Sequence, residues 1–261
     1  AVELAGNSDV IVLCLGEKSM WSGENCSRSS ISLPAVQENL LTRIKSAGKP
    51  VVVLIASGRP VDLSRIEPLA DALVEIWMPG TTAGNAVAGI LSGKYNPSGR
   101  LPMTFPYTTG QIPIYYNRRN SARRGTQGLY KDIQSEPMYW FGYGLSYTTF
   151  DYSPVTLSSD TVSENGTVTA SVTVTNTGKS AGKETVQWYI CDPFSRSIAR
   201  PVRELKHFEK QLLQPGESRE FRFEIDPKRD LGFVDKNGTP YFEKGEYRII
   251  VGESTSVLTV R

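Results

Sequence analysis

"DVIVLCLGEKSMWSGENCSRSSISLPAVQENLLTRIKSAGKPVVVLIASG", residues 9–58, decides the fold class of the first half of the chain. In its opening stretch, Asp9–Leu15, the residues after Asp9 are apolar without a break, as in a strand buried on both faces. Pro50–Gly58 is a second run of the same kind. Between them, Val36, Leu40, Leu41 and Ile44 recur at helical spacing. Ser32 stands where a side chain can cap that helix, Pro34 suits its first turn, and Gly48 suits its end. Strand, helix and strand in this order predict parallel strands joined by a helical crossover. Downstream, Asp62–Leu69 reads as a short helix and Ala72–Trp77 as a third strand. "TAGNAVAGILSG" reads as a small-residue helix after Pro79–Gly80.

Open parallel sheets gather ligands at the carboxyl ends of their strands. Three loops leave that edge here: Gly16–Ser32, Ser57–Pro60 and Met78–Thr82. The first is the longest, and it holds two carboxylates, Glu17 and Glu24, with Trp21 and Arg28. Position alone makes it a candidate site. Its bland alternative is a solvated polar loop, which is what an acidic residue on a loop usually is.

From Asp151 the pattern changes. "TVTASVTVTNTG", "KETVQWYICD", "SREFRFEID" and "GEYRIIVGES" alternate polar with apolar or β-branched residues between Gly, Asn and Pro turns. Short strands at this spacing predict an all-β sandwich. Its aromatic residues Trp188, Tyr189, Phe208, Phe221 and Phe223 fall in strand-like alternation and are expected in its core. The expected division is residues 1–116 for the α/β part, 117–150 for an irregular excursion and linker, and 151–261 for the sandwich. Within the excursion, Arg118, Arg119, Arg123 and Arg124 read as a solvated cluster before they read as a binding patch.

Composition narrows the function. The 261 residues suffice for two domains, and a net charge of +2 lacks the basic excess of a nucleic-acid binder. No apolar run reaches membrane-spanning length. The first ten residues do not read as a signal peptide, and the chain is expected to be a processed product or a piece of something longer. Cys14, Cys26 and Cys191 are too few and too scattered for a zinc site or a disulfide framework. Cys14, inside an apolar run, is expected to be a small buried hydrophobe, with a Cys14–Cys26 bridge conceivable. His207, the single histidine, leaves little for histidine-based catalysis.

"GEKSMWSGENCSRSSISLP", "GKPVVVLIASGRPVDL", "ADALVEIWMPGTTAGNAVAGILSGKYNPSGRLPMTFP", "GQIPIYY" and "MYWFGYGLSYTTFDYS" follow one another in order. Together they resemble the C-terminal portion of family 3 glycoside hydrolases, close to the periplasmic β-glucosidases of Gram-negative bacteria. The resemblance implies an α/β sandwich with a mainly parallel sheet, partial in this chain, followed by a fibronectin type III-like β-sandwich. It also implies a barrel domain of the same protein, outside this chain, that carries a nucleophilic Asp. Retaining glycosidases need two carboxyl groups, one attacking the anomeric carbon and one shuttling the proton. By resemblance, Glu24 in "SGENCSR" is the acid/base, and Glu17 is a carboxylate that anchors the loop.

Trp21 serves either as a platform for a sugar ring or as a loop anchor, and Arg28 either holds the loop or touches sugar. Tyr130 and, beside it, Asp132 are placed at the mouth of the site, Arg59 in a structural role and Trp77 in packing. The sequon Asn25–Cys26–Ser27 beside Glu24 fits a source that does not glycosylate. The implied substrate is a β-linked glucoside or oligosaccharide, with no cofactor, metal or nucleic acid, and a periplasmic or secreted location. The alternatives are a β-xylosidase or other β-glycosidase of the family and, from another class, a noncatalytic carbohydrate-binding or assembly module.

Overall fold

The computed structural model describes residues 1–119 and 130–261. Arg123 and Arg124 lie outside the described residues. By packing, the chain forms two compact units. One takes in Ala1–Gly89, Pro102–Ile114 and 130–141; the other takes in Ile90–Leu101, 115–119 and Gly142–Arg261.

The first unit is built on a parallel sheet of β1 (Ile11–Gly16), β2 (Val51–Ala56) and β3 (Ala72–Glu75), in that order. A short helix α1 (Val2–Gly6), for which the sequence shows no periodic signal, precedes it. Helix α2 (Ala35–Lys45) makes the crossover from β1 to β2, and α3 (Ala83–Leu91) follows β3. Four details depart from the sequence pattern. Asp62–Leu69 is helical only over the 3-10 turn Glu67–Leu69. Ser32 does not cap α2: Pro34 is its N-cap, with no side-chain hydrogen bond, and Ser32 instead bridges to Asp62 in parallel.

Val36 is exposed, because α2 turns Gln37, Leu41 and Ile44 inward at i, i+4, i+7 spacing. The Gln37 carboxamide takes both backbone groups of Gly16: it accepts the N–H at 2.9 Å and donates to the C=O at 3.0 Å. That pairing fixes the start of α2 against the end of β1. Finally, Cys14 is exposed rather than buried, and all three cysteines are free. β1 is an edge strand whose Ile11, Leu13 and Leu15 share the buried face of Val51, Val53 and Ile55. Val12 and Cys14 alternate to the other face and are exposed.

The second unit is a two-sheet sandwich. One sheet holds β4 (Phe150–Tyr152), β7 (Val168–Asn176) and β10 (Ser218–Ile225), with β5 (Thr156–Leu157) also on β7. The other runs β6 (Thr161–Val162), β14 (Ser254–Val260), β13 (Gly245–Val251), β8 (Gly182–Cys191) and β9 (Glu204–Leu213). A one-turn helix α4 (Pro227–Asp230) and the small hairpin β11 (Phe233–Val234) and β12 (Pro240–Tyr241) lie between β10 and β13. Trp188, Phe221, Ile225, Tyr247, Ile249 and Leu258 fill the core.

Tyr189 and Phe223 are buried as expected, but Phe208 is 60% exposed. The β8–β9 register shifts between Trp188 and Tyr189, and β9 turns Phe208, Lys210 and Leu212 outward while His207 stacks on Phe223. Two sequence motifs close this unit by interlocking. Asn96 Oδ1 accepts from the Ser146 hydroxyl and the Tyr147 N–H, and Leu101 N–H donates to Tyr143 O. Arg100 donates to Gly144 O and, through Nη2, to both oxygens of the buried Glu184 at 2.6 and 2.7 Å. Tyr152 donates its hydroxyl to the same carboxylate, and burial with that charge raises the tyrosine above its ordinary range.

Candidate active site

The loop between β1 and α2 is organised around one carboxylate. Glu17 follows β1 directly, with its N–H on Ala56 O at 2.9 Å, so the last strand pairing delivers its side chain to the carboxyl edge. Its Oε1 accepts from Arg28 Nη1 at 2.9 Å and lies 3.3 Å from Arg59 Nε in an ion pair. Its Oε2 accepts from the Ser22 hydroxyl at 2.8 Å and from the Gly58 N–H at 3.3 Å. The Glu17 side chain is only 2% exposed. Burial pushes its carboxyl up, but the Ser22, Arg28 and Gly58 hydrogen bonds and the Arg59 charge outweigh that and hold it below its ordinary value. Glu17 is therefore an ionised anchor for the loop.

Two arginines complete the clamp. Arg28 Nη2 donates to Ser32 O at 2.9 Å, closing the far end of the loop. Its guanidinium also lies 4.0 Å over the Trp21 ring, a cation–π contact. Arg59, from the loop after β2, donates to Trp21 O and to Cys26 O, the latter at 3.0 Å. Gly58 beside it admits no side chain: a methyl there would meet Ser22 Cβ at 2.6 Å and Met78 Cε at 2.7 Å. The loop thus rests directly on the β2 corner.

Glu24 stands at the tip of this clamped loop. Cys26 N–H closes a reverse turn onto Gly23 O, with Glu24 and Asn25 at its corners. Asn25 has φ of 60°, the left-handed value that the third residue of a type II turn takes. Glu24 is exposed, and among the described residues no hydrogen bond or ion pair engages its carboxylate. Glu17 and Glu24, alike by composition, occupy opposite environments seven positions apart.

The structure brings Trp21 and Arg28 together, ring against guanidinium, with Glu24 on the same loop. Tyr130 is held elsewhere in the unit: its hydroxyl donates to Gly110 O. The adjacent Thr109 hydroxyl accepts the Ile31 N–H at 3.2 Å, so Tyr130 sits by the base of the loop rather than its tip. Asp132 is exposed, and Trp77 packs on Phe105 with ring centroids 5.7 Å apart. Sequence reasoning missed Ser22 and Gly58, and it did not foresee that Arg59 grips the loop in three places. The available signal was "SGRP" directly after an apolar strand: a small residue, then a donor-rich one, at the carboxyl edge.

Residues 1–147 match the glycosyl hydrolase family 3 C-terminal domain. The chain belongs to that family. Residues 184–255 match the fibronectin type III-like domain. Family 3 relatives align over nearly the whole chain. It is 44% identical to the periplasmic beta-glucosidase of Salmonella typhimurium over 97% of this chain and 34% of that protein. It is 37% identical to a beta-xylosidase of Formosa agariphila over 98% of this chain and 35% of that protein. The crystal structure of a beta-glucosidase from Listeria innocua in complex with gluconolactone superposes with a TM-score of 0.93 at 40% identity. That match covers 99% of this chain and 37% of that one. The chain spans about a third of the length of the curated relatives it matches. No helix among the described residues is long and apolar enough to cross a membrane.

Proposed function

We propose that this chain supplies the acid/base loop of a retaining, exo-acting β-glucosidase, with Glu24 as the proton donor and acceptor. One observation carries the reading. In a loop whose Glu17 and Arg28 are committed to internal contacts, Glu24 presents an unengaged carboxylate at the carboxyl edge of a parallel sheet. The 44% identity to a periplasmic beta-glucosidase supports the substrate class and a periplasmic location.

The nucleophilic Asp belongs to a barrel domain of the longer protein. In the first step that carboxylate bonds to the anomeric carbon, the glycosidic C–O bond breaks, and the leaving oxygen takes the Glu24 proton. In the second, Glu24 removes a proton from water as the water oxygen bonds to the anomeric carbon and the Asp departs. Trp21 and Arg28 act as one stacked pair bordering the sugar, with the Lys18 ammonium also over the Trp21 ring at 5.3 Å. Tyr130 holds Gly110 O, next to the Thr109 hydroxyl that accepts the Ile31 N–H.

A specific observation favours a second reading, β-xylosidase: the 37% identity to the Formosa protein so described. The test compares this chain with the longer gene product on aryl β-glucosides and aryl β-xylosides. The proposal expects no turnover by the chain alone and turnover by the longer product, with glucoside preferred. Preference for xyloside transfers the assignment to the second reading. No turnover of either by the longer product leaves the noncatalytic carbohydrate-binding module.

A further inference from the structure

A second carboxyl lies at the same sheet edge, and nothing in the hydrolytic reading uses it. Glu75 is the last residue of β3, paired in register with Ile55 of β2. Its Oε1 accepts the Trp77 N–H at 2.8 Å and lies 3.2 Å from the Ser57 hydroxyl. Trp77 has φ of 49°, a left-handed conformation unusual for a bulky residue, so this hydrogen bond holds a strained corner. Glu75 Oε2 is sealed from solvent and has no hydrogen-bond partner among the described residues. No cation pairs with Glu75 among the described residues, since Arg28 and Arg59 are both spent on Glu17. An ionised carboxylate would leave that oxygen unsolvated and unpaired, whereas a neutral carboxyl avoids most of the cost.

Ser57 gives a second geometric argument. Its hydroxyl has one hydrogen, and the nearer acceptor is Arg59 O at 2.8 Å. With that hydrogen committed, the 3.2 Å contact to Glu75 needs a hydrogen from the carboxyl itself. The chain of donors then runs from Glu75 to Ser57 to Arg59 O. Arg59 in turn grips Trp21 O, Cys26 O and Glu17.

We propose that Glu75 is a positioning residue, protonated in the folded protein, whose carboxyl sets the Trp77 corner and, through Ser57, the Arg59 corner on which the Glu24 loop rests. When Glu75 gives its proton to water, the new carboxylate draws the Ser57 hydrogen away from Arg59 O. That carbonyl loses its partner, and the corner carrying the Arg59 guanidinium loosens. The charged groups that face Glu75 act as follows. From the β1 loop, Glu17 is negative and opposes ionisation. From the β2 loop, Arg59 is occupied by Glu17, and β3 and its corner offer only the Trp77 N–H. Burial pushes the Glu75 carboxyl up to about 7, against the Trp77 and Ser57 hydrogen bonds, with Glu17 adding to the rise. The switch therefore falls in the neutral range, and it holds or fails independently of the hydrolytic chemistry.

The test needs no substrate. The chain is labelled with 5-fluorotryptophan, and its ¹⁹F spectrum is followed from about pH 5.5 to about pH 8.5, the range around the expected midpoint. Trp77 and Trp21 are assigned by single Trp→Phe variants. The expected result is that the Trp77 and Trp21 resonances shift together with a midpoint near neutrality, and that Glu75→Gln abolishes both shifts. The Trp21 response is one that a purely local structural role of Glu75 would not produce. Flat Trp77 and Trp21 resonances in the wild type, or shifts that persist in Glu75→Gln, overturn the proposal. Should Glu75→Gln fail to fold, ¹³C titration of the wild-type glutamate carboxyls decides. One carboxyl titrating near neutrality supports the proposal, and all of them titrating in the ordinary range near 4.3 overturns it.

Discussion

Replacing Glu17 by Gln keeps its shape and removes its charge. The carboxylate now receives hydrogen bonds from Ser22, Arg28 and Gly58 and an ion pair from Arg59. Its side chain is 2% exposed, against 16% for Arg28 and 23% for Arg59. Removing one partner of a buried pair costs about 3–5 kcal/mol. Both arginines keep other contacts and some water: Arg28 has Ser32 O and the Trp21 ring, and Arg59 has two carbonyls. The low end applies, about 3 kcal/mol, which is roughly a hundredfold in the opening equilibrium of the loop. Amide hydrogen exchange reads this directly. Peptides covering residues 17–32 should exchange roughly a hundredfold faster in Glu17→Gln, while those of β7 and β8 stay unchanged. Glu24→Gln, which removes an exposed and unengaged group, should leave exchange across the loop as it was. Equal protection of residues 17–32 in wild type and Glu17→Gln would refute the clamp.

Other expectations follow from the same contacts. Gly58→Ala should displace Ser22 and Met78 and raise exchange at residues 17–23 without changing the sandwich, as peptide-resolved exchange would show. Arg100→Ala should leave the Glu184 carboxylate buried without its cation and cost about 3 kcal/mol, a melting-temperature loss on the order of 10 °C in calorimetry. The two carboxyls at the sheet edge should give opposite pH slopes. Glu17, held below its ordinary 4.5, contributes stability that is present above that value and lost as pH falls through the lower folded value. Glu75, raised from 4.5 to about 7, contributes stability that is full below 4.5 and lost as pH rises to about 7. Thermal stability of the first unit should therefore peak on the acid side of neutrality, and Glu75→Gln should flatten its decline toward pH 7.

The strand–helix alternation and the later two-residue alternation were legible because burial leaves a period in the sequence. What the period cannot carry is which face a neighbour covers. Val10–Leu15 is uniformly apolar, yet Val12 and Cys14 are exposed because they alternate to the face opposite the one that Ile11, Leu13 and Leu15 bury. Phe208 follows the strand pattern but alternates outward with Lys210 and Leu212, a face that the sequence does not mark as uncovered. The division between Glu17 and Glu24 shows the same limit from the other side. The family resemblance, not the local pattern, assigned the anchor role to Glu17. The arginine that completes the clamp, Arg59, comes from a strand end 42 positions later in the chain, and only the parallel pairing of β1 and β2 unites them. The "NPSGR" and "FGYGLSY" motifs were readable as signatures, but their mutual hydrogen bonds were not, since nothing in either segment names its partner.

Azide rescue of Glu24→Ala in the longer gene product tests the central claim most directly. With an aryl β-glucoside whose leaving group needs no protonation, the first step should survive the substitution and the water-dependent second step should become limiting. Azide, a nucleophile that needs no general base, should then restore turnover and yield β-glucosyl azide, because two inversions retain the configuration. Unimpaired hydrolysis by Glu24→Ala, or a loss that azide does not relieve, would contradict the assignment of Glu24 as the acid/base.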